Sequence, residues 1–332
     1  MRTNAVAVAI LLMIVFLAVP AKGALGADWT KAVAADVTLF YPGVASWEFL
    51  NSDDHRLGGR EIKQVRKDCR HCHLSKGGEL DLKADEIAAG SIKMKRSHNP
   101  FEPEPLPGKK GIMSAKAQAA YDDEFLYIKV EWESRGAGWS KGAKKSDRVS
   151  LQINKAEPTF KKYGCFITCH NDLNTMPESP SKKEVSANPY YGGQQRDDVR
   201  LYAYYARSAW DQRRPEGELS KKLKDGGRID LVSVEFENGS ATAFDGWIFD
   251  DRRWEDKAGN ATGAYSKGKY SAEFKLKLKS KDQFDADLFE GDVVSIGMAV
   301  HDDGASKRKH YVSFPFTIGL GVAADIKAEK TK

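Results

Sequence analysis

The sequence predicts a mainly β protein, an antiparallel β-sandwich preceded by a segment of loops and short helices. Three observations carry this reading. From about residue 111 onward, apolar residues recur at every second position in run after run, as in strands with one covered face. The stretch ahead of them, HNPFEPEPLPGKKG at 98–111, holds Pro100, Pro103, Pro105 and Pro107, which forbid a continuous helix and mark a boundary. Before it, residues 28–110 contain loop signals such as NSDDHRLGG and no long alternating run.

The chain opens with Arg2, an apolar run from Ala5 to Pro20 and the small residues AKGALGA before Asp28, the three parts of a secretory signal over residues 1–27. About sixteen apolar residues are few for a membrane span. The mature chain is expected to begin near Asp28 in the periplasm, with an uncleaved N-terminal anchor as the alternative. Loss of Arg2 and Lys22 lowers the net charge from +5 to +3. So small an excess, with no aromatic-basic binding motif, gives no reason to expect a nucleic-acid partner. The remaining chain of about 305 residues is long enough for one large or two ordinary domains. The expected division is an N-terminal segment at 28–110, a sandwich at 111–322 and a flexible tail at 323–332.

Within the sandwich, Leu126, Ile128, Val130 and Trp132 alternate with Tyr127, Lys129 and Glu131, and Phe274, Leu276 and Leu278 with Lys275, Lys277 and Lys279. Further strands are expected at RVSLQI, VRLYAYYA, IDLVSVEF, DGWIF, VVSIGMAV and HYVSFPFTIGL. About eight such strands suggest two antiparallel sheets, each covering the other's apolar face. Two polar insertions, residues 176–195 and 211–227, read as surface loops.

All four cysteines lie in two motifs that end in histidine: Cys69, Cys72 and His73 in KDCRHCHLSK, and Cys165, Cys169 and His170 in YGCFITCHND. Export to an oxidising compartment makes two disulfides the simple alternative. Disulfides within each pair would close small strained rings, however, and a zinc site would leave both trailing histidines unexplained. A cysteine pair followed at once by histidine does three jobs in one place. Two thiols add across the vinyl groups of a haem, and the imidazole reaches its iron from one side. The first motif has the usual two-residue spacing, and the second carries one extra residue, which a looser loop can satisfy. Two covalently bound haem c groups are therefore expected.

The second axial position of each iron decides between electron transfer and chemistry. The sequence offers His55, His98, His301, His310, Met94, Met113, Met176 and Met298. His310 has the parity of Val312, Phe314, Phe316 and Ile318, so it is expected to point into the apolar core, where a buried imidazole needs a partner. Met298 shares a face with Val294, Ile296 and Val300, as a ligand or as core filling. His301 has the opposite parity and begins the turn HDDGASKRK. For the first haem, His55 in a Gly-rich loop is the expected ligand and His98 the alternative. Arg60, Lys63, Arg66, Lys67, Arg70 and Lys76 crowd the first motif, as counter-charges, as a guide for an acidic partner or as a solvated face.

Several stretches together resemble a known family. AAYDDEFLYIKVEWES, DRVSLQIN followed by GCFITCH, and IGMAVHDDGASKRKHYVSFPFTIGLG are similar to the haem-binding domain of the ethylbenzene dehydrogenase γ-subunit and dimethyl sulfide dehydrogenase type, within the DMSO reductase-type systems. WEFLNSDDHRLGGREIKQVRKDCRHCH resembles the additional haem segment of its c-type cytochrome branch. The likeness runs from about residue 47 to 321. It implies a β-sandwich holding one haem and a role in respiratory electron transfer outside the cytoplasmic membrane. In the γ-subunits the haem is non-covalent, with methionine and lysine ligands, the lysine just before a late Val-Ser pair. Here His310 stands at that place, before Val312 and Ser313, and the motif with His170 replaces the methionine. Non-covalent binding and docking onto a molybdenum enzyme therefore do not follow from the resemblance.

The expected function is that of a periplasmic dihaem electron carrier rather than an enzyme, with His73 and His170 proximal and His55 and His310 distal. Its expected partners are a membrane quinol-oxidising cytochrome b or quinol dehydrogenase and a soluble or terminal oxidoreductase, with membrane association only through a partner or an uncleaved anchor. The alternatives are a haem enzyme, such as a peroxidase or a reductase of small nitrogen or sulfur species, and a haem-based sensor. Each alternative needs one open iron site.

Overall fold

The computed structural model describes residues 23–41, 70, 73, 84–89, 91, 108–168, 181–187, 193, 195, 204–209, 212–250, 252–303 and 310–331. Their strands in chain order are β1 (Ala35–Phe40), β2 (Ile112–Tyr121), β3 (Phe125–Glu133), β4 (Asp147–Asn154), β5 (Arg207–Ala209), β6 (Gln212–Arg213), β7 (Ile229–Glu237) and β8 (Ser240–Ile248). They continue with β9 (Arg252–Ala258), β10 (Ala261–Ser266), β11 (Lys269–Lys277), β12 (Val293–His301), β13 (Tyr311–Ser313), β14 (Phe316–Leu320) and β15 (Ile326–Lys330).

The fold is mainly β, and the alternating runs are its strands. In place of two separate sheets, 13 strands form one sheet in the order β10-β11-β3-β2-β1-β13-β12-β4-β7-β8-β9, with β14 against β12 and β15 bridging β14 and β2. The sheet folds over until β10 reaches β7, where Gly263 leaves room for the Phe236 ring; a Cβ there would lie 2.5 Å from it. The single core between the two layers includes Leu39, Ile128, Leu151, Val234, Phe274 and Ile296. Trp132 lies inside it, stacked on Tyr270 at 4.9 Å and edge-on to Phe236 at 5.8 Å.

Four features of the organisation go beyond what the sequence led us to expect. Across the expected boundary near residue 110, β1 pairs with β2 and β13. Val37, Leu39 and Tyr41 alternate toward the core over a run too short to register as a pattern. The tail is a strand: β15 pairs parallel with β14 and β2, its Ile326 and Ala328 are buried, and the sheet is thereby mixed. Both insertions hold helices. Lys182–Ala187 begins with a capping box in which the Ser181 amide donates to Glu184 at 2.7 Å and the Glu184 amide to Ser181 Oγ at 3.2 Å. Glu216–Lys224 buries Leu219 against a second apolar cluster around Phe160 and Ile229. Finally, the described end of VRLYAYYA is a 3₁₀ turn, Tyr204–Ala206, rather than a strand.

Candidate functional site

β12 is buried on both faces beyond its first residue, and the two faces meet different surroundings. Met298 and Val300 point into the sandwich core. Ala299 points the other way, into a cluster with Phe40, Ala84, Phe166, Val312 and Phe314. β13 follows the same rule, with Tyr311 in the core and Val312 outside it. The two strands pair antiparallel at Ala299↔Val312 and Val300↔Tyr311, and the Met298 amide donates to Ser313 Oγ at 3.0 Å. Continued one rung, this register sets His301 across from His310; their rings stack at 4.5 Å and 19°, and both residues are buried. Continued the other way, it sets Gly297 across from Phe314, about 13 Å along the ladder from the histidine rung.

Cys165, the first residue of the second motif, lies on this outer face. Pro158–Tyr163 is a short helix capped by Glu157, and the chain then turns at Gly164, φ 53°, into the 3₁₀ turn Gly164–Ile167. A Cβ at Gly164 would lie 3.2 Å from Pro315, and one at Gly297 would lie 2.6 Å from Cys165 Sγ. The buried Cys165 therefore rests directly on the backbone of β12. The Thr168 hydroxyl donates to Gln152 of β4 and, at 3.1 Å, to the Cys165 carbonyl within the turn, so the turn is closed on itself and tied to β4.

His73, the last residue of the first motif, reaches the same place. His73 stacks on Phe314 at 6.2 Å and 17°. Phe314 in turn packs on Phe40 at 5.1 Å and on Phe166 at 6.2 Å, and Phe40 stacks on Phe166 at 5.5 Å. Arg70, between the first motif's cysteines, pairs at 3.0 Å with Asp325, which also accepts from the Thr317 amide and hydroxyl just ahead of β15. Hydrogen bonds from Thr317 and Arg70 and the charge of Arg70 outweigh partial burial and hold the Asp325 carboxyl below its usual range.

The structure brings together His73, Cys165, His301 and His310 on the outer face of β12 and β13. It does not bring Met298 to them, because that thioether lies in the core on the opposite face. The parity argument for His310 is corrected in one respect. His310 shares a face with Val312 and Phe314, as expected, but not with Phe316 and Ile318, which return to the sandwich core after Pro315 separates β13 from β14. His301, assigned to the opposite side, is on the His310 face for the same reason. His55, Cys69, Cys72, His98, Cys169 and His170 lie outside the described residues. The sequence reading missed Gly297 and the Phe40–Phe166–Phe314 cluster; the glycine among apolar neighbours in VVSIGMAV was the one available signal.

Beyond the histidine rung, Asp147, Asp302 and Asp303 gather at the strand ends. Burial pushes the Asp302 carboxyl up to about 6, against hydrogen bonds such as that from Trp132 Nε1 at 3.1 Å. Lys109 lies 3.9 Å from Asp302, and burial lowers the pKa of its ammonium group from the usual lysine value. A cleft of about 770 Å³ opens here between Lys109, Trp132, Arg135 and Tyr311; of the candidate ligands, only Met113 lines it.

The donors on the outer face fit a covalently held haem. They comprise a buried thiol from one motif, an imidazole from the other and two buried imidazoles, beside a wall of Phe40, Phe166, Val312 and Phe314. A folded-over β-sheet that brings His73 of one cysteine-histidine motif and Cys165 of the other to one outer face suits the class of haem-carrying β proteins. The sequence model of the family described as "Ethylbenzene dehydrogenase" matches residues 27–233, and the chain belongs to that family. The chain is similar to the "Cytochrome c-552" of Stutzerimonas stutzeri, with 27% identity over 323 residues, which cover 93% of each chain. It is also similar to the "Cytochrome c-551" of Rhodocyclus tenuis, with 25% identity over 311 residues, 91% of this chain and 99% of that protein.

Proposed function

We propose that the protein is an exported dihaem c-type cytochrome that carries single electrons in a respiratory chain. The observation that carries this reading is the approach of one residue from each motif to one aromatic cluster, His73 stacking on Phe314 and Cys165 preceding Phe166, whose ring packs tilted against Phe314. Two relatives that bear cytochrome c names over nearly their whole length support it. Haem c, when bound, supplies a one-electron couple at iron. The chain supplies the rest. Cys69, Cys72, Cys165 and Cys169 would tether the haems, and His73 and His170 would hold the irons from one side. His310, with His301 stacked against it, would hold the second haem from the other side, and His55 the first. Phe40, Phe166 and Phe314 keep water from between the two motifs, and the ladder behind them holds the ligands in place between redox states. Irons held on both sides in this way would suit a carrier rather than an enzyme. A membrane cytochrome b or quinol dehydrogenase on one side and a soluble or terminal oxidoreductase on the other, in the periplasm, suit such a carrier.

A pyridine haemochrome count and reduced spectra with and without carbon monoxide test this. Two covalent haems per chain that ignore carbon monoxide are expected. One haem that binds it would replace the carrier by an enzyme or sensor, and a single haem would remove the second site. His310→Ala is expected to shift the spectrum and potential of one haem; unchanged values would remove His310 as ligand.

A further inference from the structure

Among the described residues two groups of three carboxylates have oxygens within 4.8 Å of one another: Asp147 with Asp302 and Asp303, and Asp230 with Asp245 and Asp285. The first group is occupied by the protein's own donors. Asp147 accepts from Tyr270 at 2.7 Å and from the Gly138 and Asp303 amides, each at 2.8 Å. Asp302 accepts from Trp132, and Asp303 from Arg135 at 2.7 Å and the Ala137 amide at 3.3 Å.

The second group is different. Asp230 is 5% exposed, and its Oδ1 accepts no hydrogen bond among the described residues. Only the Ala286 amide favours its ionised form. Burial, then the charges of Asp285 and Asp245, drive its carboxyl well above the usual range. A carboxylate so placed is costly without a counter-charge. The geometry gathers the three deliberately. In the β7–β8 ladder Asp230 faces Trp247 and Val232 faces Asp245, so both carboxylates lie on one face as diagonal neighbours. Asp285 comes from the connection between β11 and β12, held down beside them by Phe284, which stacks on Trp247 at 3.9 Å and 7°. The same connection offers the Gln283 carbonyl to Arg228.

We propose that Asp230, Asp245 and Asp285 bind a divalent cation of the hard, oxygen-seeking class, Ca²⁺. An all-carboxylate donor set excludes soft metals. Carboxylate oxygens that all lie within 4.8 Å of one another can reach a single ion at about 2.4 Å, the Ca²⁺ distance. Asp245 and Asp285 are half-buried, which leaves space for water to complete six to eight ligands. The ion satisfies Asp230 and fastens the connection that leads into β12, the strand carrying Gly297 and His301. The site does not depend on the haem reading.

The test uses the purified holoprotein, treated with chelator and titrated with CaCl₂ by calorimetry, and with Tb³⁺ by luminescence excited through tryptophan. One Ca²⁺ per chain is expected, with a melting temperature raised by about 4 °C at a hundredfold excess over Kd, and Tb³⁺ emission that Ca²⁺ displaces. Asp285→Asn and Asp245→Asn are expected to weaken binding more than tenfold. Both should keep the native haem spectrum, and Asn retains an acceptor oxygen for the Gly246 amide, which donates to Asp245 at 2.9 Å. Absence of saturable binding, or binding that both variants retain, would overturn the site.

Discussion

Replacing Gly297 by alanine probes the seat of the second motif. The new Cβ would lie 2.6 Å from Cys165 Sγ and 3.1 Å from Cys165 N, both inside ordinary contact. The sulfur could swing aside, but the nitrogen could not. It belongs to a turn closed by the Thr168 amide on the Cys165 carbonyl at 3.2 Å and backed by Pro315 against Gly164. Overpacking of this kind costs about 1–3 kcal/mol. At a urea slope of about 3 kcal/mol/M, that is an earlier midpoint by about 0.3–1 M. The assay is urea unfolding of the holoprotein, followed by fluorescence and Soret absorbance, with a haemochrome count on the same sample. Gly217→Ala is the control. It adds a Cβ with nothing within 4 Å, in the helix Glu216–Lys224, and is expected to be neutral or stabilising by up to about 1 kcal/mol. If Gly297→Ala unfolds at the native midpoint with the native haem content, the close seating of Cys165 on β12 is wrong.

Phe314→Ala removes the ring shared by His73, Phe40 and Phe166 and leaves a cavity, with an expected loss of about 3–5 kcal/mol; a loss below about 1 kcal/mol would show that the cluster does not join the motifs. Asp302 supplies a pH test. Its folded carboxyl takes up a proton near pH 6 and its unfolded one near 4, so between these values the folded state binds more protons. The stability it contributes is full below about pH 4 and is lost as pH rises through about 6. Asp302→Asn, which keeps the acceptor for Trp132, is expected to flatten that part of the profile in urea unfolding at pH 4.5 and 6.5. Identical slopes in both proteins would refute the raised value.

Strands β3, β4, β7, β11 and β12 were legible because each has one face in the core and successive side chains alternate. The short strands were not. In β1 only three residues point inward, and in β15 only Ile326 and Ala328, so the pattern ends before it is distinguishable from loop. The helix Glu216–Lys224 was hidden because a single buried leucine holds it. The two cysteine-histidine motifs were legible, since two thiols and an imidazole at that spacing are contiguous in the chain.

Composition, alternation and motif spacing thus determined by themselves a mainly β protein with two cysteine-histidine motifs, because those properties are local. Tertiary structure alone decided which side of the sheet the chemistry occupies. Alternation along β12 separates Met298 from His301, but both faces of this strand are buried, so apolar character cannot say which one meets the second motif. That depends on where the chain after β4 crosses β12, and it crosses at the one position, Gly297, where no side chain stands in the way. The approach of the first motif to Phe314, from more than two hundred residues away in sequence, is a long-range contact of the same kind, decided by packing and carrying no local signal.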